Sequence, residues 1–129
     1  MATCTNASFA QIASLAYLTT AVPFTYIAVG TGTTAESAAH TALVTETTTS
    51  GLERTVATTK TRATTTQTND TTSLSETFTV TGSVTVAEVA VLNAATTGTM
   101  WFRHLLGSTK ALVSGDSYTV TCTCQFKAG

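Results

Sequence analysis

The alternation of apolar and polar positions is cleanest near the C-terminus, in Ser114 to Phe126 (SGDSYTVTCTCQF). Tyr118, Val120, Cys122, Cys124 and Phe126 fall on one face, and Thr119, Thr121, Thr123 and Gln125 on the other. This predicts a β-strand with one dry side. Gly115-Asp116 supplies the preceding turn, because glycine tolerates positive φ and aspartate can bond its own backbone two residues on. A dry face must be covered, and most of the remaining chain offers strands of the same kind.

The exception is the N-terminal stretch. Asn6 is placed to cap a helix running to about Leu18, in which Phe9, Ile12, Ala13, Ala16 and Tyr17 recur at spacings of three and four and form an apolar stripe. A helix this short is marginal alone in water and must dock on its own sheet or on a neighbour. Pro23 excludes its continuation. Phe24 to Val29 reads as a buried strand that stops at the glycine-containing loop Gly30-Thr31-Gly32-Thr33-Thr34. Ala35 to Glu46 reads as a short helical turn or an ordered loop pinned by Leu43 and Val44.

Leu52 to Gln67 and Thr72 to Gly82 form two long threonine-rich runs, expected as a hairpin turning at Asn69-Asp70. Arg54, Lys60 and Arg62 share one parity of the first run, as a solvated face would, and Leu74, Phe78 and Val80 share the buried parity of the second. Thr85 to Leu92 is a further strand, and Thr99 to Leu105 returns antiparallel after the loop Asn93 to Gly98. An irregular stretch follows Leu106-Gly107-Ser108. No βαβ spacing occurs. The expected architecture is therefore all-β: an antiparallel β-sandwich or jelly roll of six to seven strands with one short N-terminal helix. Residues 1–22 would form a helical arm and residues 23–129 the sandwich.

A chain of 129 residues supports one domain. Charged residues make up 10% of it and the net charge is −1, so no field exists to gather nucleic acid or an anionic membrane. About a quarter of the residues are threonine, whose hydroxyls can hydrogen bond across strands and give a polar surface without charge. Such a face suits close lateral packing of neighbouring copies. The N-terminus has neither a basic segment followed by an apolar run nor a run of membrane-spanning length, so neither a signal peptide nor a transmembrane helix is expected. Cys122 and Cys124 point the same way along one strand at about 7 Å, too far for an unstrained disulfide, and read as small buried hydrophobes. Cys4, in a terminus expected to be mobile, is free or joins another copy.

Catalytic groupings are not evident. The loop Gly30 to Thr34 lacks the spacing and the Lys-Ser/Thr end of a phosphate-binding loop. His40 and His104 lie near no nucleophile-elbow signature, and Cys122-Thr123-Cys124 has no histidine close enough for a zinc site. The carboxylates of interest are Glu88 and Asp116. Glu88 sits inside an apolar strand, where charge requires a partner such as Arg103 across the hairpin. A glycosidase would need two carboxyls facing each other over a cleft, for which a domain this small has little wall. Trp101 and Phe102 should point to opposite faces, one into the core and one toward a partner. No catalytic residue, cofactor or metal is expected.

The segments FTYIAVGTGTTAESAAHTALVTE, TNDTTSLSETFTVTG, VAEVAVLNAATTGTMWFRHLL and VSGDSYTVTCT, in that order, resemble small virion structural proteins of tailed phages, of the kind labelled minor capsid or tail-fibre-like. The likeness covers most of the chain from Phe24 onward. Against the family's hairpin pattern, this chain carries Ala90 for a glycine, Leu92 for a phenylalanine and Thr97 for a glycine. The resemblance implies a protein made in the host cytoplasm without a signal peptide and located in the virion. Its implied partners are other virion proteins, the major capsid protein or tail proteins, in a homo-oligomer or in repeated copies on a particle. The expected role is a capsid decoration subunit held by lateral contacts; the alternative is a tail or tail-fibre subunit that meets a host surface. No heptads or internal repeats of a fibre shaft occur. A carbohydrate-binding sandwich would need more exposed aromatics than the core leaves over. Candidate assembly contacts are Phe9, Ile12, Tyr17, Trp101 and Arg103.

Overall fold

The strand-forming runs assemble as two facing antiparallel sheets. The computed structural model describes residues 2–128; residues 1 and 129, the outer ends of the expected arm and sandwich segments, lie outside the described residues. In chain order the elements are β1 (Thr3–Cys4), α1 (Asn6–Leu15), β2 (Tyr26–Gly30), β3 (Thr55–Val56), β4 (Thr59–Ala63), β5 (Thr71–Thr79), β6 (Val84–Leu92), β7 (Met100–Leu112) and β8 (Ser117–Gln125). One sheet has the order β1-β7-β6-β2-β3 and the other β4-β5-β8. The all-β sandwich with one short helix is as expected. Eight strands rather than six or seven are described because two of them, β1 and β3, are only two residues long.

The three-stranded sheet follows simple alternation. Leu74, Phe78, Val80, Val120 and Cys122 point inward and are buried. Ser75 and Thr77 of β5 face Thr121 and Thr119 of β8 on the outside, and their hydroxyls bond across the strands at 3.0 and 2.8 Å. The five-stranded sheet is instead covered on both faces, which is why β6 reads VTVAEVAVL with almost no polar alternation. Ile27, Val29, Val89, Val91 and Phe102 pack between the sheets. Ala28, Ala90, Leu92 and Met100 lie on the other face under Leu43, from the segment between β2 and β3. The small side chains of the cross-strand pair Ala28 and Ala90 let that segment lie close.

Several expected elements differ. The two long threonine runs do not form one hairpin: β3 pairs with β2 in the five-stranded sheet, and only β4 pairs with β5. The crossover is pinned by Glu76, which accepts from the N–H and hydroxyl of Thr58 at 2.7 and 2.6 Å. Arg54 consequently lies off the strand that carries Lys60 and Arg62, and the three cations share no stripe. Its guanidinium grips Glu46 at 2.5 and 2.8 Å and caps the carbonyls of Ala94 and Thr97. The irregular stretch expected after Ser108 is part of β7, which runs on to Leu112 with a register shift between Val86 and Glu88 of its partner. Asp116 bonds backward, to the N–H of Val113 at 2.9 Å, rather than two residues on.

The turn at Asn69-Asp70 is also wider than a two-residue hairpin. Asn69 takes a positive φ of 59°. The Asp70 carboxylate accepts from Gln125 Nε2 at 2.8 Å and from the N–H groups of Gln67, Thr65 and Thr66 at 3.0, 2.8 and 2.9 Å. The Gln125 hydrogen bond, together with the backbone donors, holds the Asp70 carboxyl well below the usual carboxylate range. A carboxyl whose native pKa is depressed stabilises the fold fully above its unfolded value of about 4 and progressively less as the pH falls toward the native value. Urea midpoints measured from about pH 5 down to about pH 2 should therefore fall with acid. Asp70→Asn should lower the midpoint at neutral pH and make the acid limb shallower; an unchanged acid limb would mean that Asp70 does not hold the turn.

Candidate functional site

Glu88 and Arg103, which the sequence brought forward for different reasons, form one buried unit. Both are fully buried, and Arg103 Nε donates to Glu88 Oε2 at 2.5 Å. The pair lies on the loop-covered face of the five-stranded sheet, diagonally across the β6–β7 ladder, where Glu88 is opposite Leu105 and Ala90 is opposite Arg103. The covering segment supplies the remaining donors: the N–H groups of Thr45, Val44 and Gly32 donate to the Glu88 carboxylate at 2.8, 3.1 and 3.2 Å. Arg103 Nη2 donates to the carbonyl of Thr34 at 2.8 Å, while Nη1 finds no partner among the described residues.

This arrangement explains the two loop glycines. A Cβ at Gly30 would meet the Thr45 carbonyl oxygen at 2.5 Å and Glu88 Oε1 at 2.6 Å. A Cβ at Gly32 would meet Glu88 Oε1 at 2.6 Å and Val44 Cβ at 2.7 Å. The glycines make room for an internal carboxylate. Glu88 is thus the structural ion pair expected of it, and Arg103, expected as an assembly contact, is not one: the loop seals it from solvent.

A second carboxylate works similarly at the sheet edge. Glu36 accepts from the Thr3 hydroxyl at 2.5 Å, the Leu105 N–H at 2.7 Å and His104 Nδ1 at 3.1 Å. Partial burial pushes its pKa up, but the hydrogen bonds from Thr3 and the Leu105 N–H, with the nearby His104, outweigh that and hold it below the usual value. His40 and Asp116 stand apart from these groups in turns of their own. No group of three or more His, Cys, Asp or Glu that could hold a metal ion occurs among the described residues.

The exposed surface with a distinct character is at the other end of β7, around α1. The helix begins on Thr5, not Asn6: the Thr5 side chain accepts from the Ser8 N–H at 3.2 Å and its hydroxyl donates to the Met100 carbonyl. The N–H of Asn6 is used by the loop, donating to the carbonyl of Ala38 at 2.8 Å. β1 precedes the cap and pairs with β7, Thr3 opposite Arg103 and Cys4 opposite Phe102. Thr3 and Cys4 are therefore part of the sheet, where a mobile terminus was expected. Because Thr5 and Ser8 are small and satisfied by nearby backbone, their face docks on β7 and is fully buried. That turns the helix away from the expected stripe. Ile12 is partly buried against the core, but Phe9 and Tyr17 point to solvent, 60% and 74% exposed.

Trp101 and Phe102 are both buried, against the expectation that one would be exposed. Val91 pairs with Phe102 and Leu92 with Met100, so Trp101 is the extra residue of a β-bulge. The bulge breaks the alternation and sends both rings into one cluster. Trp101 stacks between Phe24 and Phe126 at centroid distances of 5.3 and 6.2 Å. Its surroundings open as a groove of about 390 Å³ lined by Ile12, Leu15, Pro23, Phe24, Trp101 and Phe126, among others.

Of the groove's lining, Leu15 and Phe126 are themselves exposed, and Phe9, Tyr17, Leu18 and Val22 of the same N-terminal segment are exposed as well. No charged side chain occurs before Glu36. Of the expected assembly contacts, the structure brings Ile12 and Trp101 into this groove, leaves Phe9 and Tyr17 exposed outside its lining, and buries Arg103. Sequence reasoning missed Leu15, Pro23, Phe24 and Phe126 as members. Phe126 was legible as the last residue of the dry face of β8, one step past the strand's end.

No protein-family model matches the chain, and no curated protein matches it in sequence. No helix among the described residues is long and apolar enough to cross a membrane.

Removing one member of a buried charge pair leaves the other uncompensated, at a cost of about 3–5 kcal/mol. Glu88→Ala should lower the urea-unfolding free energy by about that amount and release the segment between β2 and β3, seen as faster amide exchange at Val44 and Thr45. A loss below about 1 kcal/mol would show that the pair does not anchor the loop.

Proposed function

We propose that this chain is a structural subunit of a phage virion, a capsid decoration or minor capsid protein seated on the shell by lateral contacts. The observation that carries the proposal is the N-terminal segment, which has no charged side chain before Glu36, exposes Phe9, Tyr17, Leu18 and Val22, and lines an open apolar groove with Ile12, Leu15 and Phe24. An exposed apolar cluster of this kind marks a contact surface. An uncharged neighbour suits it, because burying it desolvates no ion. The polar sites add support from the other side: Glu88, Arg103, Glu36, Asp70 and Arg54 are all engaged in holding loops. The resemblance of the segments from Phe24 onward supplies the setting of a particle. On a particle, repeated weak contacts multiply, each added 1.4 kcal/mol or so being about tenfold in affinity.

The proposal is tested by sedimentation of the isolated chain, then by co-sedimentation with assembled shells of its own virus. A chain that stays monomeric alone and pellets with shells supports decoration. A stable trimer that ignores shells would instead favour the tail-fibre role. Phe9→Ser combined with Tyr17→Ser should leave the thermal midpoint nearly unchanged, since neither ring is in the core, and should reduce shell occupancy by about tenfold or more. Full occupancy by that variant would remove α1 from the contact.

A further inference from the structure

We propose that Cys4 and Cys124 are a redox-active pair that closes into an intramolecular disulfide, stapling the two sheets across the cavity that both cysteines line. Cys4 lies in β1, the edge strand of the five-stranded sheet, and Cys124 in β8, an edge strand of the three-stranded sheet. Both are free thiols in this structure. Both pack against the apolar cluster between the sheets, so both are directed into the sandwich. They line the same cavity of about 350 Å³, with Phe102 in its wall. Cys122 lines a different cavity with Ala2, Val89 and His104. It cannot bridge Cys124, two residues along the same strand face at about 7 Å.

A bridge needs a Cα separation of roughly 4.4–6.8 Å, which requires the sheet edges to sit close. β1 is two residues long, paired on one side only and at the end of its sheet, so it is the element best able to adjust. Burial raises the Cys4 thiol, and burial together with the charge of Cys4 raises Cys124. Because the thiolate is the attacking form, closure should accelerate toward alkaline pH.

With a low-molecular-weight disulfide such as oxidised glutathione as oxidant, one cysteine loses its proton and attacks a glutathione sulfur, forming a mixed disulfide and releasing one glutathione thiolate. The second cysteine, also deprotonated, attacks the protein sulfur of that mixed disulfide and releases the second glutathione thiolate. The two thiol protons pass to the released glutathione, so the disulfide reagent is reduced by two electrons and the protein oxidised by two. The bridge would close a loop of almost the entire chain, which restricts the unfolded state strongly.

The folded protein is treated with oxidised glutathione at mildly alkaline pH and examined by intact mass, non-reducing peptide mapping and thermal melting. The expected result is the loss of two hydrogens, a link between the peptides carrying Cys4 and Cys124, and a thermal midpoint higher by on the order of 10 °C that reductant reverses. Cys122→Ser should retain the link, and Cys4→Ser and Cys124→Ser should each abolish it. Three free thiols after treatment, a persistent glutathione adduct, a bridge through Cys122, or a Cys4–Cys4 link between copies would each overturn the proposal. None of these outcomes depends on what the α1 face binds.

Discussion

The buried Glu88 carboxylate holds together three parts of the chain that are distant in sequence. It sits in the middle of β6, takes a charged donor from β7 and takes three backbone donors from the segment between β2 and β3. A carboxylate in such a place is unfavourable unless each oxygen is occupied. The backbone N–H groups of Gly32, Val44 and Thr45 complete it, and in doing so determine where the covering segment runs. The apolar contact under that segment, Leu43 on Ala28, Ala90, Leu92 and Met100, is modest in size. The polar anchor adds what that contact lacks, a single geometry. Because the segment then seals the face, β6 and β2 are buried on both sides.

The same logic of small polar side chains meeting backbone recurs at the N-terminus. Thr5 and Ser8 dock because they can be satisfied at close range, and the larger Phe9 and Tyr17 are left outside. A conventional amphipathic helix would have hidden those rings. The bulge at Trp101 acts in the opposite direction on β7, drawing into the core an aromatic that alternation would have exposed. The two departures from simple periodicity leave Trp101 stacked on Phe24 and Phe126 in a groove that Ile12 and Leu15 also line, and leave Phe9 and Tyr17 exposed.

Each carboxylate engaged in the interior or at a turn is held by backbone N–H groups or by an arginine, as at Asp70, Glu36 and Glu46. Groups tied up in this way set loop positions. With 10% of the residues charged, the protein spends most of its interior charge on architecture and leaves a threonine-rich sheet face and an apolar helix face to meet solvent or neighbours.

The sequence by itself determined the elements whose signal is local. The alternation of β8 and of the inward residues Leu74, Phe78 and Val80, the turn at Gly115 and the all-β class were all legible, because periodicity and turn chemistry act over a few residues; the helix stops at Leu15, short of the expected Leu18. Glu88 and Arg103 could be paired from the sequence because they flank one hairpin. Tertiary structure alone decided the rest. The donors at Val44 and Thr45 lie more than forty positions from Glu88, the crossing of β3 and β4 to different sheets depends on which edge is open, and the bulge at Trp101 depends on its partner strand. Which helix face turned inward was settled by close approach to β7, a contact such as Thr5 with Met100 between residues 95 positions apart, where packing outweighed the apolar stripe.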